Sequence, residues 1–214
     1  MTSVDALATR PDLAVECAGH GGVAEHGPAL LRRGIDLVVS SVGALADPAL
    51  HEALRAAAAA GRAKLLLIAG AVGGIDALGA ARVGGLDRVC YISRKPPLSW
   101  RGTPAEQVAD LASLTAPTEL YAGPADAAAR LYPQNANVAA TIALAGLGFA
   151  RTEVRLIADP VATGNIHQIE AAGAFGSFTV EMRGKPLAAN PKTSMLAALS
   201  VVRTIRNRAA LIEI

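Results

Sequence analysis

Short apolar runs set the rhythm of the first third of the chain. Leu13-Ala14-Val15, Leu37-Val38-Val39 and Leu65-Leu66-Leu67-Ile68 are separated by stretches of helical character. Uninterrupted runs of this length suit strands covered on both faces. Between the second and third, Asp47-Pro48 supplies an N-cap followed by proline at the first helical position. His51 to Ala60 is rich in alanine, and Gly61 can end that helix. Strand, helix and strand repeated in this way predict a parallel sheet, and so an α/β fold.

After Gly85 the pattern changes. Strand-like segments fall at Arg88 to Arg94 and Val154 to Ile157, and Ile166 to Ala171 with Ser177 to Arg183 reads as a hairpin. Phe178, Val180 and Met182 alternate with Thr179, Glu181 and Arg183, so one face of that strand packs while the other is wet or meets a partner. Thr103-Pro104-Ala105-Glu106 has the form of a capping box opening a helix; Asn137 to Leu147 and Thr193 to Arg206 supply two more. The second half is therefore α+β, and the chain divides into regions 1–84 and 85–214.

Composition narrows the class. At 214 residues and 52% hydrophobic content the chain can bury a sizeable core as one large domain or two small ones. A net charge of +2, with basic residues scattered, gives neither a nucleic-acid patch nor a membrane-surface patch. Cys17 and Cys90 form no C-x-x-C pair, which argues against a disulfide framework and a structural zinc. The opening Met1 to Asp5 has no basic or apolar leader, and no later segment is an apolar run long enough to span a membrane. A cytoplasmic protein with a small-molecule partner, no metal, no nucleic acid and no membrane is the expectation.

In open α/β sheets ligands collect at the carboxyl ends of the strands. Three such ends carry glycine: Cys17-Ala18-Gly19-His20-Gly21-Gly22, Ser40-Ser41-Val42-Gly43, and Ala69-Gly70-Ala71-Val72-Gly73-Gly74. None is a G-x-G-x-x-G loop, and each alone also reads as an ordinary tight turn. Tyr132 to Asn137 places Asn135 and Asn137 at a helix start, where capping explains one and a ligand carboxamide could meet the other. His167 follows Asn165-Ile166 at the start of a strand, where by itself a histidine is more often a half-buried core residue than a catalyst. Asn190-Pro191-Lys192-Thr193-Ser194 reads as a turn into a helix, able to hold an anion or simply to cap. Arg94-Lys95, after a strand and before two prolines, has the same two readings, an anion site or, more commonly, a solvated pair.

Taken in order, these segments resemble the L-aspartate dehydrogenases. The matching run comprises Glu16 to His20, Ser41 to Leu45, Gly70 to Leu78, Arg94-Lys95-Pro96, Tyr132 to Ala140, Asp159-Pro160, Asn165-Ile166-His167 and Asn190 to Ser194. The resemblance implies a Rossmann-type parallel sheet followed by an α+β domain that holds substrate and forms a homodimer, with the C-terminal helix placed to pack back on the first region. It implies oxidation of L-aspartate by NAD or NADP through iminoaspartate to oxaloacetate and ammonia, linked to NAD biosynthesis. By position, Ala71 and Asn137 would contact the nicotinamide end of the cofactor and His167 would be catalytic. Lys192 and Thr193 are assigned to the substrate carboxylates on chemical grounds alone.

One departure accompanies the match. Relatives in that family open with a strand, a G-x-G-x-x-G-type loop and further strand–helix units, whereas this chain enters at what would be a later strand. Roughly fifty residues, more than a βαβ unit, are expected to be absent, leaving an incomplete Rossmann-type sheet. Two other functions therefore stand beside the dehydrogenase: a shortened, non-catalytic homologue that dimerises with a partner, and a related imine or oxo-acid reductase.

Overall fold

A computed structural model describes residues 9–187 and 190–212; the side chains of Gln134 and of residues 190–192 lie outside that description, as does the Met1 to Asp5 opening. Three strands, β1 (Leu13–Glu16), β2 (Asp36–Val39) and β3 (Leu65–Leu67), form a parallel sheet in the order β1-β2-β3. Leu37 lies opposite Ala14 on one side and Leu65 on the other. Helix α1 (His20–Arg32) and helix α2 (Pro48–Gly61) make the two crossovers.

The period of two along these strands sorts their side chains between two cores. Leu37 and Val39 join Val23, Leu31 and Leu54 under α1 and α2. Val38, with Leu13 and Leu66, packs on the opposite face against Val42, Ile68, Ala140, Leu144 and Val201. Only β2 is buried along its whole length; β1 and β3 are edge strands among the described residues, and Val15 is exposed. The expectation of strands covered on both faces thus holds for the central strand alone.

Helix α2 starts as its sequence predicts. Asp47 Oδ1 accepts from the amides of Ala49 (2.9 Å) and Leu50 (3.4 Å), and Pro48 needs no partner for an amide it lacks. Its end differs. The left-handed position belongs to Arg62 (φ 54°), not to Gly61. Gly61 is glycine for contact: a Cβ there would sit 1.8 Å from Leu31 O, where the end of α1 crosses it.

Helix α3 (Ile75–Gly84) leads into the second sheet. That sheet contains β4 (Leu86–Lys95), β5 (Thr118–Pro124), β6 (Glu153–Ala158), β7 (Ile166–Gly173) and β8 (Gly176–Arg183), in the order β5-β6-β4-β7-β8. Only β4 and β6 run parallel; the other neighbours are antiparallel. Between β4 and β6 lie the short α4 (Ala105–Val108), α5 (Ala125–Leu131) and α6 (Ala136–Ala145). Leu78, Val89, Tyr91, Trp100, Ile142, Val154, Leu156 and Ile169 form the core between this sheet and its helices.

The capping box predicted at Thr103 to Glu106 is reduced to a single helical turn. Thr103 Oγ1 donates to Trp100 O and accepts from the Ala105 amide, which closes a turn against the preceding segment, and Ala109 is already extended. The predicted hairpin forms as β7 and β8. Phe178, Val180 and Met182 point inward along β8 while Thr179, Glu181 and Arg183 are exposed. Much of that apolar stripe is covered within the chain: Phe178 packs on the core, and a Cβ on Gly74 would lie 3.0 Å from Val180.

The segment Asn190–Ser194, expected as a turn, is a strand. It forms β10, antiparallel to β9 (Pro186–Leu187), because the chain doubles back and pairs its backbone before the last helix. Helix α7 (Met195–Ala209) therefore begins at Met195 rather than Thr193. It returns to the first sheet: Val201 packs beside Val38 and Ile68, Ser200 Oγ accepts from the Gly70 amide at 3.1 Å, and Arg208 meets Asp36 at 2.7 Å. No helix of the described residues is long and apolar enough to cross a membrane.

Candidate active site

The carboxyl ends of β1 and β2 are tied to one another by a buried carboxylate. Glu16, the last residue of β1, accepts through Oε1 from the amides of Ala18 (2.6 Å) and Gly19 (2.8 Å) and from Ser41 Oγ (3.1 Å). Its Oε2 accepts from the Ser41 amide at 3.0 Å. A carboxylate satisfied four times in this way fixes the loops after β1 and β2 against each other. His20-Gly21-Gly22, expected in a loop, is the first turn of α1, entered through Gly19 at φ 91°.

Asn137, in the first turn of α6, ties a further element in. Its Oδ1 accepts from the Gly43 amide (2.9 Å) and lies 3.2 Å from His20 Nε2. Since that oxygen can only accept, His20 must carry its proton on Nε2 here, and the Asn137 amide group keeps its donors for the cleft it lines.

On the far side stands His167, near the start of β7 and 5% exposed. Its Nδ1 is 2.8 Å from Tyr91 Oη, and the two rings lie nearly parallel at an angle of 23°. Burial, aided by the nearby positive charge of Lys95, pushes the imidazole down to about 4. An imidazole serves as acid/base most readily when it titrates near neutral pH, whereas here the free side chain is neutral near pH 7. Burial also raises the phenol of Tyr91, which keeps it a protonated partner.

Lys95 ends β4, and burial lowers its ammonium to about 8. Its Nζ lies 5.0 Å from the centre of the Trp100 ring, which the turn Pro97–Trp100 folds across it. The pair Arg94-Lys95 is thus not simply solvated: Arg94 reaches Asp159 at 3.8 Å, and Lys95 faces the cleft.

These groups enclose a cleft of about 380 Å³ between the two sheets. Ala71, Asn137, His167 and Thr193, four of the five residues singled out from the sequence, all line it. The Lys192 side chain is outside the described residues. Lys95, Asn135 and Ser194 line the cleft as well. Sequence reading assigned Lys95 no role in the site beyond the two readings of the Arg94-Lys95 pair, although a further signal was present. In a strand, Tyr91, Ser93 and Lys95 share one face, and Ser93 pairs with His167 across the ladder, so these polar positions face one side of a buried strand end.

A dinucleotide's nicotinamide end fits this side of the cleft. Gly70 (φ 71°) has nothing within 4 Å of the place a Cβ would take, so backbone is open to a flat ring beside Ala71 and the Asn137 donors. A parallel sheet with ligand-facing strand ends, set against a mixed sheet that contributes a buried histidine and lysine, defines a dehydrogenase with a Rossmann-like NAD-binding half. Residues 1–67 match the family model described as the NAD-binding domain of homoserine dehydrogenase. A hyperthermophilic archaeal homoserine dehydrogenase in complex with NADPH shares the fold at a TM-score of 0.54 and 11% identity, over 93% of this chain and 72% of that one.

Residues 76–208 match the family model described as aspartate dehydrogenase, C-terminal. An L-aspartate dehydrogenase of Ralstonia nicotianae is 59% identical over 214 residues, covering 100% of this chain and 80% of the relative. That of Pseudomonas aeruginosa is 58% identical over 205 residues, 96% of this chain and 77% of the relative. The crystal structure of aspartate dehydrogenase from Thermotoga maritima superposes with a TM-score of 0.80 at 28% identity, covering 95% and 78% of the two chains. The chain belongs to the aspartate dehydrogenase family.

Proposed function

We propose that the chain oxidises L-aspartate with NAD or NADP, giving iminoaspartate and then oxaloacetate and ammonia, in a homodimer of the cytoplasm that serves NAD biosynthesis. The observation that supports this reading most is that Ala71, Asn137, His167 and Thr193, from four separate segments, meet around one cleft. When bound, the nicotinamide supplies the hydride acceptor. Ala71 and Asn137 hold its carboxamide end. Thr193, with Lys192 beside it in sequence, meets substrate carboxylate.

His167 is the acid/base. In the tautomer that donates Nδ1–H to Tyr91 Oη, Nε2 keeps a lone pair for the cleft, and this neutral imidazole accepts the proton that leaves the substrate nitrogen as amine becomes imine. Once that proton has passed to solvent, the same nitrogen can take one from the water that hydrolyses the imine. For the dimer, the apolar row Met195, Leu199, Val202 and Ile205 along the outer face of α7 is exposed and suited to a second copy.

The test is formation of reduced nicotinamide on mixing the protein with L-aspartate and either NAD or NADP. His167→Ala is expected to lower turnover about 10²- to 10⁴-fold with cofactor binding unchanged. Near-normal turnover in that variant would return His167 to a core histidine.

A further inference from the structure

We propose that the Lys95 ammonium is the carboxylate anchor of the cleft, seating the side-chain carboxylate of a short acidic amino acid beside His167 and so selecting an acidic over a neutral substrate. The inference rests on the dehydrogenase reading above and names a residue to which that reading gives no role.

Three observations carry it. Lys95 is the one lysine or arginine among the described residues that line the cleft, and no aspartate or glutamate is among them. Among the described residues a dicarboxylate therefore meets one positive group and no negative one. The ammonium is held rather than loose, with its stem at the end of the central strand β4 and Trp100 across it at 5.0 Å. Ser194 Oγ, which lines the same cleft, is buried without a hydrogen-bond partner among the described residues, a hydroxyl able to accept or donate to a bound carboxylate.

The anchor is coupled to the base. In the empty cleft burial takes Lys95 down to about 8, and its charge helps hold His167 at about 4. The other ionisable groups around it do not interfere. Tyr91 shares the strand face and stays a phenol, while Asp159, whose amide donates to Lys95 O, has its carboxylate engaged by Arg94 and the Val161 amide. A carboxylate arriving at Lys95 opposes both shifts. The lysine regains its full charge by taking up a proton, and the imidazole gains proton affinity as substrate is seated.

Succinate, a dicarboxylate without the reacting amine, is the probe. Calorimetric titration of the whole protein in two buffers of different ionisation enthalpy, with and without NADH, reads protons bound along with affinity. At pH 8, where Lys95 is about half charged, uptake of about half a proton is expected, falling towards zero at pH 7. Lys95→Met should weaken succinate about 10- to 100-fold and abolish the uptake, with NADH binding unchanged. Lys95→Arg, permanently charged, should retain much of the affinity and still show no uptake. In turnover, Lys95→Met should raise KM for aspartate more than it lowers kcat.

Wild-type protein that binds no succinate in either condition overturns the anchor. So does uptake that persists in Lys95→Met, or normal succinate affinity in that variant while aspartate is still oxidised. Succinate binding with proton uptake in a wild-type protein that does not oxidise aspartate would overturn the activity instead, leaving the anchor standing.

Discussion

Lys95→Met should make the protein more stable at neutral pH. In the folded chain burial lowers the lysine from its ordinary 10.5 to about 8, so charging it in place is harder than charging it in the unfolded chain. A shift of that size corresponds to about 3 kcal/mol, and the attraction of Trp100 for the charged form brings the net cost to roughly 2–3 kcal/mol. The sign follows from proton counting. Between pH 8 and 10.5 the unfolded chain binds more protons than the folded one, so wild-type stability rises with pH through that window. Below pH 8 both forms are charged and the full cost is present. Above 10.5 it vanishes. Methionine keeps an unbranched apolar side chain of similar length and removes the charge.

The assay is urea unfolding of wild type and Lys95→Met at pH 7 and pH 10.5. A gain of about 2–3 kcal/mol is expected at pH 7, equivalent to roughly 5–10 °C in a thermal scan of a chain this size. That gain should largely disappear at the higher pH. A variant that is less stable than wild type at pH 7, or whose gain is the same at both pH values, would refute the placement of Lys95 as a buried charge. Stability gained together with substrate affinity lost is the pattern of a group held in an unfavourable setting for function.

His167 carries the corresponding prediction on the acid side. Its folded value of about 4 lies below the ordinary 6.5, so the unfolded chain binds the extra proton and stability should fall by about 3 kcal/mol as pH drops from 6.5 to 4; in His167→Phe that slope should be missing from the unfolding curves. At the end of α2, Arg62→Gly should stabilise by about 0.5–1 kcal/mol by relieving a left-handed backbone, whereas Gly61→Ala should destabilise by more than about 2 kcal/mol, because the new Cβ meets the Leu31 carbonyl; chemical denaturation of both variants checks the pair.

The elements that sequence revealed are those whose signal is local. β2 and the Asp47-Pro48 start of α2 are written in consecutive residues, and the structure shows both. β7 and β8 were legible through the alternation of Phe178, Val180 and Met182. β10 was misread as a turn because Asn190-Pro191 is turn chemistry locally, and only its pairing with β9 makes it a strand. The edge strand β5 was not anticipated, since Thr118 to Pro124 has one fully buried residue, Leu120, and so little periodicity to read.

For the cleft, residue type and residue environment part company. His167, Asn137 and Ala71 could be named because a dehydrogenase resemblance pointed to them, and Thr193 on chemical grounds alone. What they can do depends on partners more than fifty residues away in sequence: Tyr91 for His167, Gly43 and His20 for Asn137. The lowered proton affinity of His167 follows from where β4 and β7 meet, and no short window of sequence contains it. Lys95 shows the limit most sharply. A lysine before two prolines is solvated by default, and only the Trp100 ring beside its ammonium and the closure of the cleft around it turn it into the charge a dicarboxylate would seek. The chemistry of this cleft is therefore a property of the contact between its two sheets. A change that shifts one sheet against the other, such as loss of the Arg208–Asp36 pair or of the Ser200 hydrogen bond to Gly70, should act on the proton affinities of Lys95 and His167 without touching either residue.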